Sequence, residues 1–202
     1  MIDDDRKAEP TPIVRRLSRV FDGFLCIDEA VVTYPNYDGQ PKTVTRLCME
    51  RGDSVAVLVV EPVRCIVWLV EQFRYPALAK GPGWLVEIPA GVIDMLEESE
   101  DAALRETREE IGVEPTSLEH IATFYVSPGG TSERIHLYYA SVPNAVADEA
   151  LAQHLRDKDE DIKIVEQKID AFIADAFAGR IADAKTLIAA FWLDKHRRRL
   201  KL

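Results

Sequence analysis

The stretch of sequence that decides the fold is residues 91–113, GVIDMLEESEDAALRETREEIGV. Its second half predicts a helix from about Ser99 to Ile111. Gly112 should end that helix, because glycine readily adopts the left-handed conformation that is common at helix C-termini. With about 3.6 residues per turn, Leu104 and Ile111 lie on one face, which we expect to contact the core.

Three glutamates are expected on the side of this helix opposite to Leu104. Glu106, Glu109 and Glu110 bring like charges together, which costs an isolated helix roughly 0.2–0.5 kcal/mol per i, i+4 pair. A solvated acidic face is one explanation of the cluster. A site for a hard cation is the other, because Mg²⁺ prefers oxygen ligands and several carboxylates on one helix face can hold ions that bridge a diphosphate.

Together with its flanks, the stretch resembles the Nudix box, G-x5-E-x7-R-E-U-x-E-E-x-G-U, in which U is an apolar residue. The one soft departure is Thr107, at an apolar position of the box. The fixed positions are filled by Gly91, Glu97, Arg105, Glu106, Glu109, Glu110, Gly112 and Val113. The resemblance implies the α/β class, as a Nudix α/β/α sandwich with a mixed sheet, and hydrolysis of a nucleoside diphosphate linked to a further group.

Two further segments narrow the subgroup. Residues 127–133, SPGGTSE, resemble the SPGxxxE turn of ADP-ribose pyrophosphatases, although Pro-Gly-Gly alone is ordinary turn chemistry. Residues 179–186, GRIADAKT, resemble the end of the GDP-mannose-hydrolysing members. We therefore predict hydrolysis of ADP-ribose to AMP and ribose 5-phosphate, with GDP-mannose or another nucleoside diphosphate sugar as the alternative substrate. A nucleotide-sugar sensor that does not cut is the alternative class, and the intact glutamates argue against it.

The resemblance also implies roles for individual residues. The expected catalytic residues are Glu106, Glu109, Glu110 and Glu160. The expected metal ligands are the Ala90 carbonyl, Glu106, Glu110 and Glu160, with Mg²⁺ as the ion and Mn²⁺ as the alternative. The expected substrate-binding residues are Arg51, Arg74, Glu87, Gly130 and Glu133. Arginine suits a diphosphate because its planar guanidinium donates two hydrogen bonds at once. A salt bridge between Arg105 and Glu97 should hold the loop to the helix.

The proton acceptor is the one role with several candidates. ADP-ribose pyrophosphatases are expected to carry a glutamate two residues before the position of Glu160, and this chain has Lys158 there. Asp157, Asp159 or a glutamate of the helix are the alternatives.

Composition excludes several classes of partner. The chain of 202 residues has 25 Lys plus Arg and 35 Asp plus Glu, a net charge of −10, which argues against a broad basic face for nucleic acid. Its longest apolar runs, residues 55–60 and 65–70, are far shorter than the roughly 20 residues that span a bilayer. The cysteines, Cys26, Cys48 and Cys65, lack CxxC spacing and are expected to be reduced thiols. We predict a cytoplasmic protein with no membrane partner.

The chain is expected to have three parts: a flexible tail at 1–12, an N-terminal β lobe at 13–50 and the hydrolase domain at 51–202. The resemblance implies that the lobe exchanges contacts in a homodimer. Apolar runs predict strands at 54–60, 65–70, 84–88, 121–126, 135–142 and 162–165. Residues 72–83 are expected to form a loop and 144–161 a loop or short helix, and helices are expected at 169–178 and 183–199.

Overall fold

A computed structural model of the chain describes residues 11–142 and 161–202. The chain divides into two compact units. One comprises the residues up to Arg51 together with Ser127–Glu133, and the other comprises Gly52–Val126 and Arg134–Leu202. Within the described ranges, no helix is both long and apolar enough to cross a membrane. The predicted tail lies almost wholly outside the described residues.

The first unit is built on an antiparallel sheet of three strands in the order β1-β2-β3. The strands are β1 (Ile13–Asp22), β2 (Cys26–Pro35) and β3 (Pro41–Glu50). Asn36 forms the β2–β3 turn, because its side chain accepts the backbone N–H groups of Asp38 and Gln40 at 3.0 and 2.8 Å. The Ser127–Glu133 turn joins this unit through the Met49 N–H, which donates to the Gly130 carbonyl at 2.8 Å.

The second unit is built on a mixed sheet of seven strands. The strands are β4 (Ser54–Glu61), β5 (Ile66–Phe73), β6 (Trp84–Glu87), β7 (Ala90–Val92), β8 (Glu119–Tyr125), β9 (Arg134–Ser141) and β10 (Lys163–Lys168). The main path runs β10-β5-β4-β9-β8, with β6 paired to β5 and β7 paired to β4. Strands β4 and β9 are parallel, and the other pairs are antiparallel.

Helices cover both faces of this sheet. They are α1 (Tyr75–Leu78), α2 (Ser99–Ile111), α3 (Ile169–Phe177) and α4 (Ala184–Leu200). Every residue of β4 is buried, and successive side chains of a strand point to opposite faces. Val55, Val57 and Val59 share one core with Ala102 and Ile111 of α2. Ala56, Leu58 and Val60 share the other with Phe172 of α3 and Leu193 of α4. This arrangement confirms the predicted α/β/α sandwich with a mixed sheet.

The sequence predicts most elements of this unit, but it misses strand β7 and helix α1. Helix α2 has the expected bounds, and Gly112 ends it with a φ of 72°. Residues 72–83 were expected to form a loop, but they contain α1, because Pro76 stands at the start of a single helical turn. The element expected at 144–161 lies outside the described residues except for residue 161.

Candidate active site

Arg105 is the centre of a hydrogen-bond network that joins α2 to the segment before it. Its Nε and Nη2 donate to the two carboxylate oxygens of Glu97, both at 2.9 Å, so the expected salt bridge is present. Nη1 donates to Glu106 at 2.6 Å, and Nη2 also donates to the Val92 carbonyl at 3.1 Å. Arg105 and the Asp94 N–H together lower the pKa of Glu97 to about 2. The loop that precedes α2 is thereby tied to the helix that carries the glutamates.

From this network we predict how a substitution of Arg105 changes the free energy of unfolding. Replacing Arg105 with Met should lower the free energy of unfolding by roughly 1–3 kcal/mol, because Glu97 and Glu106 lose a charged donor. Arg108→Met on the same helix is the matched control, since Arg108 is exposed and its ion pair within the described residues is with the exposed Glu114. It should change the free energy by less than about 0.5 kcal/mol. Urea unfolding measures both, and equal losses would contradict the assigned role of Arg105.

Gly91 provides the space in which the Glu106 carboxylate lies. A Cβ built on Gly91 would overlap the carboxylate carbon and both oxygens of Glu106. The first glycine of the box is therefore a steric requirement at this position, because any larger residue would displace the acid. Glu106 keeps this place through its bond from Arg105.

Glu110 lies on the core side of α2, so its expected position opposite the core was wrong. It is only 6% exposed, whereas Leu104, the expected core residue, is half-buried. The reason is that strand β7 presents a polar partner to this face: the Ala90 N–H donates to Glu110 at 3.0 Å. Burial raises the pKa of Glu110 to about 8, the nearby charge of Glu106 adds to the increase, and the bond from Ala90 opposes it.

The departure from the box at Thr107 also has a structural reason. Thr107 is completely buried, and its hydroxyl donates to the Ala103 carbonyl one turn earlier at 2.7 Å. A buried hydroxyl that is hydrogen-bonded in this way avoids the cost of an unsatisfied polar group. Threonine can therefore occupy a position that faces the apolar core.

Arg74 and Glu87 form an ion pair beside these glutamates. Glu87 is 3% exposed, and one of its carboxylate oxygens accepts from Arg74 Nη2 at 2.8 Å and from Nε at 3.1 Å. The other oxygen lies 3.4 Å from Lys185 Nζ. The charges of Arg74 and Lys185 both oppose the rise in the pKa of Glu110, so the cations and acids belong to one electrostatic cluster.

The sequence alone predicts no role for Lys185. Lys185 is nearly buried and also pairs with Asp183 at 3.0 Å. A nearly buried lysine needs such partners. The signal available in the sequence was the Asp-Ala-Lys-Thr segment at the start of the last helix.

Of the remaining expected site residues, Glu109 lies on the same helix as Glu106 and Glu110. Glu109 is 46% exposed on its side chain and lies 3.4 Å from Arg105. Arg51, Gly130 and Glu133 belong to the first unit, where Arg51 Nε lies 3.6 Å from Glu133. The other candidate site residues, Asp157, Lys158, Asp159 and Glu160, lie outside the described residues.

The oxygen atoms of this cluster in the second unit are suitable ligands for a divalent cation. Carboxylates and a backbone carbonyl are the oxygen ligands that such ions prefer, and the absent side chain of Gly91 leaves room for Glu106. In the described part of the chain, no three His, Cys, Asp or Glu side chains already converge on one point. Arg105 and the Ala90 amide occupy oxygens of Glu106 and Glu110 instead.

Comparison with known proteins agrees with this geometry. The sequence model of the NUDIX domain matches residues 50–183. The chain belongs to the Nudix family. A similar relative is the ADP-ribose pyrophosphatase of Haemophilus influenzae, 36% identical over 161 residues, which are 77% of this chain and 72% of that protein. Another is the GDP-mannose pyrophosphatase of Yersinia enterocolitica, 32% identical over 149 residues, 73% of this chain and 76% of that protein.

A solved structure shows the same fold. The crystal structure of an ADP compounds hydrolase aligns with a TM-score of 0.69 at 16% identity, and the match covers 96% of this chain and 98% of that one. The protein is thus a Nudix hydrolase with the Nudix fold. Nudix hydrolases generally use divalent metal ions.

Proposed function

We propose that this Nudix hydrolase cleaves the diphosphate of a nucleoside diphosphate sugar with Mg²⁺, and that ADP-ribose is its main substrate, giving AMP and ribose 5-phosphate. The observation that carries the proposal is the Glu106 carboxylate lying against Gly91, next to the buried Glu110. A solvated acidic face would need neither a glycine that makes room for an acid nor a buried glutamate.

The cation-holding residues in the proposal are Glu106, Glu110 and the Ala90 carbonyl, with Glu160 added from outside the described residues. A bound Mg²⁺ would neutralise diphosphate charge and lower the pKa of a coordinated water. Mn²⁺ is the alternative ion. Asp157, Asp159 and the helix glutamates remain the candidate proton acceptors.

Arg74 is proposed to bind a diphosphate oxygen. Its side chain is 39% exposed, and the five N–H donors of its guanidinium exceed the two bonds that it makes to Glu87. The buried Glu87 fixes the plane of the guanidinium, which favours the paired bonds that a phosphate accepts. Arg51, Gly130 and Glu133 are proposed to contact the nucleotide sugar as well.

The segment SPGGTSE supports ADP-ribose over other nucleoside diphosphate sugars as the substrate. GDP-mannose is the second candidate, favoured by the resemblance of residues 179–186, GRIADAKT, to the end of the GDP-mannose-hydrolysing members and by the similarity to the Yersinia GDP-mannose pyrophosphatase. We also propose a cytoplasmic homodimer in which residues 13–50 form the interface. Strand β1 supports this, because it exposes large apolar side chains, namely Val14, Leu17, Val20 and Phe21.

Substrate profiling tests the proposal. With purified protein and Mg²⁺, we expect kcat/KM for ADP-ribose to exceed that for GDP-mannose by at least about 10-fold, which is about 1.4 kcal/mol of preferential transition-state binding. Chromatography of the products should show AMP, and EDTA should stop the reaction. The opposite ratio would favour GDP-mannose, and binding without any product would favour the sensor.

A further inference from the structure

The start of helix α4 is attached directly to the backbone just after β6. Asp183 caps the helix: its carboxylate accepts the Thr186 N–H at 2.9 Å and the Thr186 hydroxyl at 2.5 Å. The same hydroxyl oxygen accepts the Ile88 N–H at 3.0 Å, across 98 positions of the sequence. Thr186 and Ile88 are both buried, so this amide depends on Thr186 for its hydrogen bond.

The residues at the start of α4 also contact Glu87, the residue before Ile88. Lys185 Nζ lies 3.0 Å from Asp183 and 3.4 Å from Glu87. Glu87 in turn holds Arg74. One turn of α4 therefore fixes two consecutive residues, 87 and 88, through the side chains of Lys185 and Thr186.

These contacts are two residues away from the expected metal-binding backbone. Ala90 donates its N–H to Glu110, and its carbonyl is an expected metal ligand. Pro89 lies between, with a φ restricted by its ring, and its carbonyl accepts the Val57 N–H of β4 at 2.9 Å. Ile88 and Ala90 are thus joined through one residue of restricted φ, so the bond from the Ile88 N–H to Thr186 is one of the restraints on the position of Ala90, beside those from β4.

We propose that Thr186 is a positioning residue that sets the Ala90 carbonyl for the divalent cation. The inference rests on the proposed function for its catalytic meaning. The last helix, α4, carries none of the Nudix-box residues, but under this proposal it helps to position a metal ligand. Asp183 supports Thr186 by accepting a hydrogen bond from its hydroxyl.

Thr186→Val tests this, because valine keeps the shape of the side chain and removes the bond to Ile88. We expect the affinity for Mn²⁺ without substrate to fall about 10-fold. This is the lower end of the loss seen when a residue that supports a metal ligand is removed. The paramagnetic resonance signal of free Mn²⁺ measures the affinity. Hydrogen exchange of the amides of Ile88, Ala90 and Gly91 should become faster in the metal-free protein. Thr186→Ser should restore both. The Mg²⁺ concentration for half-maximal rate should rise, while KM at saturating Mg²⁺ stays within about 3-fold.

Leu193→Ala is the matched control on the same helix. Leu193 is completely buried in the core, and its truncation should lower the urea midpoint of unfolding while leaving Mn²⁺ binding unchanged. Wild-type Mn²⁺ binding in Thr186→Val, or equal weakening in Leu193→Ala, would overturn the proposal. Thr186→Ala replaces the valine variant if that variant does not fold. A wild-type protein that binds Mn²⁺ but hydrolyses no nucleotide sugar would contradict the proposed function, and Mn²⁺ binding would still decide the role of Thr186.

Discussion

Glu110→Gln is expected to abolish turnover and, at alkaline pH, to stabilise the metal-free protein. Loss of a residue that supports a metal ligand typically lowers metal affinity or activity 10–100-fold. Loss of a ligand itself should therefore lower kcat by more than about 100-fold. Glutamine keeps the size of the side chain and can still accept the Ala90 N–H. The fold should therefore persist while the negative charge needed by the cation is absent.

The gain in stability follows from the raised pKa of Glu110. Its ordinary pKa is 4.5, and burial raises the pKa in the folded protein to about 8. The unfolded chain thus releases this proton near pH 4.5, whereas the folded chain keeps it until about pH 8. Stability attributable to Glu110 is complete below pH 4.5 and is lost as the pH rises through 8.

Relative to wild type, Glu110→Gln should be equally stable near pH 4.5 and more stable at pH 9. We expect a gain of at least about 2 kcal/mol, since each unit of pKa is worth about 1.4 kcal/mol. Urea unfolding in EDTA at the two pH values measures it. Glu109→Gln is the matched control, because its half-exposed carboxylate should give no comparable gain. Near-normal turnover of Glu110→Gln would refute its role as a ligand, and a pH-independent difference would refute the charge argument.

The helix that carries the site could be predicted from the sequence, but the orientation of its acids could not. Bounds 99–111 follow from periodicity and the glycine cap, which are local signals. A helical projection cannot tell which face meets the sheet when a carboxylate is buried there. Glu110 is buried because the Ala90 N–H, 20 positions earlier, provides its hydrogen bond. That partner becomes visible only in three dimensions.

The strands of the sandwich core were predictable for the same local reason. A strand buried on both faces is a continuous apolar run, as residues 55–60 are. The contacts that connect α4 to the site were not predictable, since Thr186 and Ile88 are 98 positions apart. Nothing in the composition of either segment indicates that one bonds to the other.

Gly91→Ala is expected to remove metal binding and turnover through steric overlap alone. The added methyl group would occupy the place of the Glu106 carboxylate. Residue 91 cannot move away easily, because it is paired with Val55 in the sheet, and Glu106 is held by Arg105. The φ of Gly91 is not in the left-handed region, so alanine adds no backbone strain there. We expect kcat/KM to fall more than about 100-fold and stability to fall by about 1–3 kcal/mol, as overpacking usually costs.

A double-mutant cycle with Glu106→Ala isolates this overlap. Truncating Glu106 removes the group that the new methyl would meet, so Gly91→Ala should cost little stability in that background. The coupling between the two substitutions should then be at least about 1 kcal/mol in urea unfolding. Gly81→Ala is the matched control: a Cβ there meets only the Ala77 carbonyl at 3.5 Å, an ordinary contact, and activity should be unchanged. If Gly91→Ala cost the same stability with and without Glu106, the first glycine of the box would have some other purpose than to seat this carboxylate.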